Sequence, residues 1–467
     1  MTVMENKNWL EYDADEMVKG DKDALWHHLK PHKVFESQEQ MIIVEGNGLN
    51  VTDIRGREYL DVTSGGVWSI MVGYGRESIA KAVYDQLVKM PYFAGVFGNV
   101  PAIKFAQKLL EKLPRMDKVY FSNSGSEANE KAFKIVRQAS RIVPERKGKF
   151  KIMFRDRDYH GTTIAAMSAT GQIQRKKDFG PFLEGFVEFP HCCCYRCPFE
   201  KTYGECNIEC AHAIEDVIAK EGADTIGALI VEPIVAGGGI IPPVKEYYPI
   251  VQDICQKHNI WLIMDEVVCG FGRTGKFWGH EQYDVDPDIV TMAKGLASSY
   301  EPLSATVVKQ HVYDCFLNDP SDEETRLNYF RDISTYGGCA GPMAAALEST
   351  RIIEDENLVE NSEEVGAYFL EQLQTLKDQP LIGDIRGIGL FCGIEFVRNK
   401  ETKEPISESE MATIMGRMMA QSIIVGRTNS SFDGLNTVMN FAPSLTITKE
   451  QVDRVVAAVK NAVEEGL

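Results

Sequence analysis

Five short runs of apolar, β-branched and aromatic residues, spread through the middle of the chain, constrain its fold more than any other feature. They are Lys118-Val-Tyr-Phe121, Lys151-Ile-Met-Phe154, Ala228-Leu-Ile-Val231, Ile260-Trp-Leu-Ile-Met264 and Ile289-Val-Thr-Met292. Each is too short for a free-standing helix and has the composition of a strand buried on both faces. Amphipathic helical stretches separate them. The alternation predicts an α/β fold built on a mostly parallel sheet covered by helices.

The segment Leu49-Asn-Val-Thr-Asp-Ile-Arg-Gly-Arg-Glu-Tyr-Leu-Asp61 alternates around Asp53-Ile-Arg-Gly56 and predicts a hairpin. Past Gly341 the pattern changes. A helix with a small-residue face, Met343-Ala-Ala-Ala-Leu347, leads into a long polar helix. The strand-like, glycine-punctuated stretch Ile385-Arg-Gly-Ile-Gly-Leu-Phe-Cys-Gly-Ile-Glu-Phe396 follows. We expect residues 1–70 to pack with a smaller domain, 71–340 to form a large domain, and 341–467 a smaller α/β C-terminal domain. A chain of 467 residues has room for both.

Polar residues close these runs. Asp265-Glu266, Glu232-Pro233 and Lys294-Gly295 follow three of them, and Tyr159-His160-Gly161 comes shortly after a fourth. Ligands of parallel sheets sit at the carboxyl ends of the strands, so these residues should converge. Taken singly, each is as well explained by helix capping or surface charge; their coincidence points to a site.

Ser122-Asn-Ser-Gly-Ser-Glu-Ala-Asn129 follows a strand and opens a helix. Its small residues suit a backbone cradle for an anion, with Gly125 and Ser126 as donors. An ordinary helix start capped by Ser126 is the alternative. Lys294 ends an apolar run where a cation is costly, so desolvation should lower its pKa as a nucleophilic amine requires. Otherwise it snorkels to a strand end. Asp265, buried at its strand end, needs a cationic partner such as a protonated ring nitrogen.

A net charge of −18 disfavours nucleic-acid and anionic-membrane partners. The N-terminal residues lack an apolar run of signal type and no stretch is long enough to span a bilayer, so we expect a cytoplasmic protein with reduced thiols.

Asn123-Ser-Gly-Ser-Glu-Ala-Asn129, Tyr159-His-Gly161, Val231-Glu-Pro233, Met264-Asp-Glu-Val267, Gly270-Phe-Gly-Arg-Thr-Gly275, Ala293-Lys-Gly-Leu296 and Thr335-Tyr-Gly-Gly338 occur in one order. Together they resemble the class III (omega) aminotransferases of pyridoxal phosphate (PLP) fold type I, over nearly the whole chain. The resemblance implies PLP as cofactor and a homodimer or higher homo-oligomer acting on small amines and keto acids. It implies that Lys294 anchors the cofactor and moves the substrate proton, while Asp265 pairs with the pyridine nitrogen. Val267 and Tyr159 would cover the two ring faces, and Glu232 would lie on the hydroxyl side. Gly125 and Ser126 would hold the phosphate, with Thr335 of the partner subunit. The chain departs from the family at Ala293, often Ser, and at Cys339-Ala340, often Asn-Pro.

For the substrate, the family places an arginine near Arg427 and a pocket aromatic at Trp68, with Phe93 and Phe97 as further candidates. Arg427 has the fork that suits a carboxylate or sulfonate, or it is a strand-end surface arginine. Ser64-Gly-Gly-Val-Trp-Ser-Ile-Met-Val-Gly-Tyr-Gly75, Gly426-Arg-Thr-Asn-Ser-Ser431 and Asn436-Thr-Val-Met-Asn-Phe-Ala-Pro443 are similar to the taurine–pyruvate branch. That branch implies taurine as donor and pyruvate as acceptor, giving sulfoacetaldehyde and alanine. β-Alanine, GABA or a diamine is the alternative donor, and a PLP racemase or aminomutase the alternative class. Cys194, Cys197, Cys206 and Cys210 have the residue types of a structural zinc site but an unusually short spacer. The alternative is a thiol-rich insertion.

Overall fold

A computed structural model describes residues 11–428 and 431–464. Residues 1–10 of the expected N-terminal segment, Asn429 and Ser430 of the Gly426 run, and residues 465–467 lie outside the described residues.

The strands in chain order are β1 (Ile43–Asn47), β2 (Asn50–Asp53), β3 (Glu58–Asp61), β4 (Lys118–Ser122), β5 (Lys151–Arg155), β6 (Phe186–Phe189), β7 (Ile226–Val231) and β8 (Trp261–Asp265). They continue with β9 (Ile289–Met292), β10 (Ser304–Val308), β11 (Ile382–Ile388), β12 (Phe391–Asn399), β13 (Glu404–Pro405), β14 (Ile423–Ile424), β15 (Gly426–Arg427) and β16 (Val438–Phe441).

A seven-stranded sheet in the order β4-β10-β9-β8-β7-β5-β6 carries the middle of the chain. Its strands β7, β8 and β9 are buried at every residue, which is why they read as unbroken apolar runs. β10 runs antiparallel to both β4 and β9, and the other pairings are parallel. Six strands therefore point the same way, and their carboxyl ends lie along one edge. The result is the expected α/β class with a mostly parallel sheet. β6 and β10 were not among the expected strands. Ser304-Ala-Thr-Val-Val308 begins polar and has only three strongly β-prone residues, which hides it.

The Gly125–Ile142 helix follows β4 across a two-residue turn. Its buried side, Ala128, Asn129, Ala132, Phe133, Ile135, Val136 and Ala139, recurs at helical spacing. The cap is Ser124, whose side chain accepts from Glu127 N, and not Ser126. Ser124 sits in extended backbone and can reach back, whereas Ser126 is already inside the first turn.

The C-terminal third forms an antiparallel sheet, β11-β12-β16-β15, with β13 paired to β12. The stretch Ile385 to Phe396 is a hairpin rather than one strand. It turns at Gly389, where φ is +55° and an added Cβ would lie 2.3 Å from the Thr274 carbonyl carbon. The N-terminal hairpin joins a third sheet, β1-β2-β3-β14, in which β14 pairs parallel to β3. No described helix is long and apolar enough to cross a membrane.

Candidate active site

The carboxyl ends of β4, β5, β7, β8 and β9 deliver their following residues to one place. Gly125, Ser126, Asn129, Tyr159, His160, Glu232, Asp265, Val267 and Lys294 all line an inner cavity of about 170 Å³. Tyr159, Glu232, Val268 and Lys294 also line an outer cavity of about 680 Å³, together with Trp68, Gln172, Arg175 and Arg427. Lys294 thus stands where the two spaces meet.

Lys294 opens a short turn after β9 with φ at +44°, a left-handed conformation that an ordinary side chain avoids. Its amine faces both cavities and is half-buried. That burial lowers its pKa below the ordinary 10.5, while the nearby Asp265 carboxylate pulls it back up.

Asp265 is buried and its carboxylate is aimed by three donors. Oδ2 accepts from Asn129 Nδ2 at 2.8 Å and lies 2.7 Å from His160 Nδ1, and Oδ1 accepts from Val267 N at 3.0 Å. Asn129 is itself held, with its Oδ1 accepting from Thr291 Oγ1 at 2.7 Å. His160 Nε2 is buried with no hydrogen-bond partner among the described residues.

Gly125 and Ser126 open the long helix, where backbone N–H groups have no intrahelical partner. A Cβ at Gly125 would meet both methyls of Val267 at 3.1 Å, so a side chain there would crowd the cradle. Ser126 Oγ accepts from Thr162 N at 3.0 Å.

Glu232 Oε2 accepts from Tyr159 N at 3.0 Å. Burial pushes its carboxyl well above the ordinary value, and the nearby Asp158 and Asp265 charges push the same way. Burial pushes the Asp158 carboxyl up as well, but Arg155 binds its Oδ1 through Nε and Nη2 at 3.1 and 3.0 Å and favours the charge there, leaving the shared proton on Glu232. Glu232→Gln, which copies the protonated carboxyl, is therefore expected to melt close to the wild type at about pH 4.5 and above it near neutral pH. Folded Glu232 holds its proton above the pH at which an unfolded glutamate has lost it. Wild-type stability then declines as pH climbs from about 4.5 through the raised folded pKa. The variant should show a shallower decline, measured as melting temperature against pH.

The outer cavity contains two arginines. Arg427 on β15 is paired with the exposed carboxylate of Glu408. Arg175, from the Ile173–Lys176 turn, lies over the Tyr159 ring at 5.1 Å, and its Nε donates to Gln172 Oε1 at 2.8 Å. Nothing in Gln172-Ile-Gln-Arg-Lys-Lys177 distinguishes Arg175 from a basic surface run, and sequence reasoning missed it. Asn129 and His160 stand in recognised motifs, yet their bond to Asp265 could not be read from spacing.

Not every expected residue arrives. Phe93 is 56% exposed, packs edge-on against Phe97 at 5.0 Å, and lines neither cavity of its own chain. Its segment runs over the surface of its own chain. Thr335 is also exposed and lines neither cavity of its own chain. The thiols of Cys194, Cys197, Cys206 and Cys210 surround a small separate cavity with Cys192 and Cys193. Among the described residues, no group of three or more His, Cys, Asp or Glu is placed to hold a metal ion. Burial instead pushes Cys194 up to about 11 and Cys210 up to about 12.

A family model described as aminotransferase class-III matches residues 34–463. The chain belongs to the class III aminotransferases. Over 467 residues this aminotransferase is 48% identical to a hypotaurine/taurine–pyruvate aminotransferase of Paracoccus denitrificans (strain Pd 1222), covering 99% of each chain. It is 49% identical over 457 residues to a taurine–pyruvate aminotransferase of Bilophila wadsworthia, covering 97% of this chain and 98% of that one. A crystal structure of a Bacillus anthracis aminotransferase superposes with a TM-score of 0.91 at 43% identity, covering 97% of this chain and 98% of that one. The fold is that of PLP fold type I.

Proposed function

We propose that this class III aminotransferase moves the amino group of taurine to pyruvate with pyridoxal phosphate as cofactor, giving sulfoacetaldehyde and alanine. The observation that carries the reading is the outer cavity, which joins Arg175 and Arg427 to Lys294 in one space. Two guanidinium forks suit a sulfonate, whose three oxygens can accept from both. A diamine would present a second ammonium to two cations, so it fits poorly. β-Alanine and GABA remain the anionic alternatives.

The inner cavity fits the cofactor. Free N–H groups at a helix start suit its phosphate, and the buried Asp265 carboxylate suits a protonated ring nitrogen. Tyr159 and Val267 line the same cavity and can cover the ring. Bound there, the cofactor supplies an electron sink for the charge left on the substrate carbon when its proton departs.

The chain's own residues do the rest. Asp265 keeps a proton on the ring nitrogen, and Asn129, His160 and the Val267 N–H hold the carboxylate in line. Lys294 Nζ, its pKa lowered by burial, is free to bond the cofactor and then to carry the proton from the donor carbon. Glu232 stays neutral beside it and adds no charge that would draw a proton onto the lysine. Arg175 and Arg427 orient the far end of the donor.

The assembly is part of this proposal. Phe93, Phe97, Val96 and Tyr336 leave apolar surface exposed on the side that carries Thr335, which supports a homodimer in which each subunit completes its partner's site. A domain division at residues 70 and 340, in the cytoplasmic enzyme expected from its sequence, is consistent with β14 pairing to β3.

The test is a donor screen with pyruvate, following alanine. Taurine is expected to give the highest kcat/KM. β-Alanine, GABA or a diamine turning over much faster would overturn the reading. Donor alone should convert the coloured cofactor form once, and pyruvate should restore it. A racemase or aminomutase would turn over without pyruvate.

A further inference from the structure

One wall of the outer cavity is Trp68, whose ring centre lies 5.9 Å from Lys294 Nζ. The turn that carries it is unusual. β3 ends at Asp61, and that carboxylate accepts from Thr63 N at 2.7 Å, Gly65 N at 2.8 Å and Tyr74 OH at 2.7 Å. Around this anchor the chain runs through four left-handed residues, Ser64, Gly65, Gly66 and Trp68, the last with φ at +64°. A tryptophan in that region is strained and persists only if its surroundings hold it.

Asn440 supplies the hold. Its Oδ1 accepts from Trp68 Nε1 at 3.0 Å, across 372 residues of chain. The indole N–H can only donate, so the amide oxygen must be the atom facing it. Phe391 meets the ring edge-on at 5.4 Å from the adjacent strand.

Three facts mark Asn440 as more than a sheet residue. It is fully buried in the middle of β16, where an apolar side chain is the ordinary occupant. The bond to Trp68 is the one hydrogen bond its side chain makes among the described residues, and its Nδ2 is left without a partner there. Room for it is made by Gly426 across the ladder, where a Cβ would lie 2.1 Å from Asn440 Oδ1. The φ of Gly426 is not left-handed, so glycine is needed there for space and not for backbone shape. A half-satisfied buried amide is costly, and packing offers no reason to keep it.

We infer that Asn440 is a specificity-determining positioning residue. By holding the Trp68 indole it keeps the ring as a fixed wall beside Lys294, admitting short donors and excluding bulky ones. The inference rests on the proposed reading only in taking the Lys294 cavity as the donor site.

Two variants break the bond from opposite sides. Asn440→Leu removes the acceptor while keeping the branched outline, and Trp68→Phe removes the N–H while keeping an aromatic ring. With pyruvate as acceptor, kcat and KM are measured for taurine and for 1-phenylethylamine. Each variant is expected to raise the ratio of kcat/KM for the bulky donor over taurine by about tenfold. The double variant should change that ratio by less than about twofold beyond either single one, because both remove the same contact. Equal losses on both donors, or ratios that multiply in the double variant, would overturn the assignment. If Asn440→Leu does not fold, an unchanged ratio in Trp68→Phe overturns it alone. A wild type that prefers another short anionic donor tells against the taurine reading before any variant is made. The ratio is then taken against that donor.

Discussion

Lys294→Ala is expected to lower the rate of alanine formation by at least about a thousandfold, since general acid–base catalysis alone is worth about 10²–10⁴. Two functions are lost together, because the same Nζ bonds the cofactor and carries the proton. The fold should survive. Lys294 is disfavoured as a cation where it stands, and alanine removes that burden without adding a polar group. Melting temperature should therefore not fall with activity. Borohydride treatment followed by mass spectrometry should fix the cofactor to the Lys294 peptide in the wild type and to no peptide in the variant. A small amine such as methylamine should restore part of the proton-transfer rate, since the site left behind is a hole of the right size beside Asp265. A variant that keeps more than about a tenth of wild-type activity would remove Lys294 from the mechanism.

Asp265→Asn is expected to cost about 10²–10³-fold in kcat, the range found when a preorganised electrostatic contact is removed from a dry site. An amide has no charge with which to keep a proton on the ring nitrogen. It also cannot satisfy its neighbours. Oδ1 faces the Val267 N–H while Oδ2 faces Asn129 and His160, so either orientation of the amide turns its NH₂ toward a donor. That mismatch is worth about 1–3 kcal/mol of stability. Reduced cofactor retention and a lower melting temperature should accompany the loss of rate. An enzyme that keeps full kcat with saturating cofactor would mean that the ring nitrogen is held some other way.

These two residues were legible because their chemistry and their place in the fold are both local. An apolar run of five residues that ends in Asp or leads into Lys announces a strand end, and strand ends of a parallel sheet gather ligands. The same logic located Glu232 and Tyr159. It was less specific where a neighbouring residue could do the same job. Ser124 caps the helix for which Ser126 was the alternative cap, because the choice depends on which serine lies in extended backbone. The strand-like, glycine-punctuated Ile385 to Phe396 stretch did not reveal its reversal, because the turn at Gly389 rests on its fit against Thr274. Arg175 was invisible, since its importance lies in reaching a cavity walled by residues hundreds of positions away.

The sequence by itself determined the α/β class, the chain positions of the strands that build the site, and most of the residues that line the inner cavity. Those features follow from hydrophobic period and from residues that directly close a strand. Tertiary structure alone decided which carboxylate keeps its proton, which arginines share the donor space, and what holds Trp68. A pKa depends on burial and on charges brought near by folding, and Arg155 hydrogen-bonds the Asp158 carboxylate but not the Glu232 side chain. A hydrogen bond such as Asn440 to Trp68 spans nearly the whole chain, and no local pattern encodes a contact between its two ends.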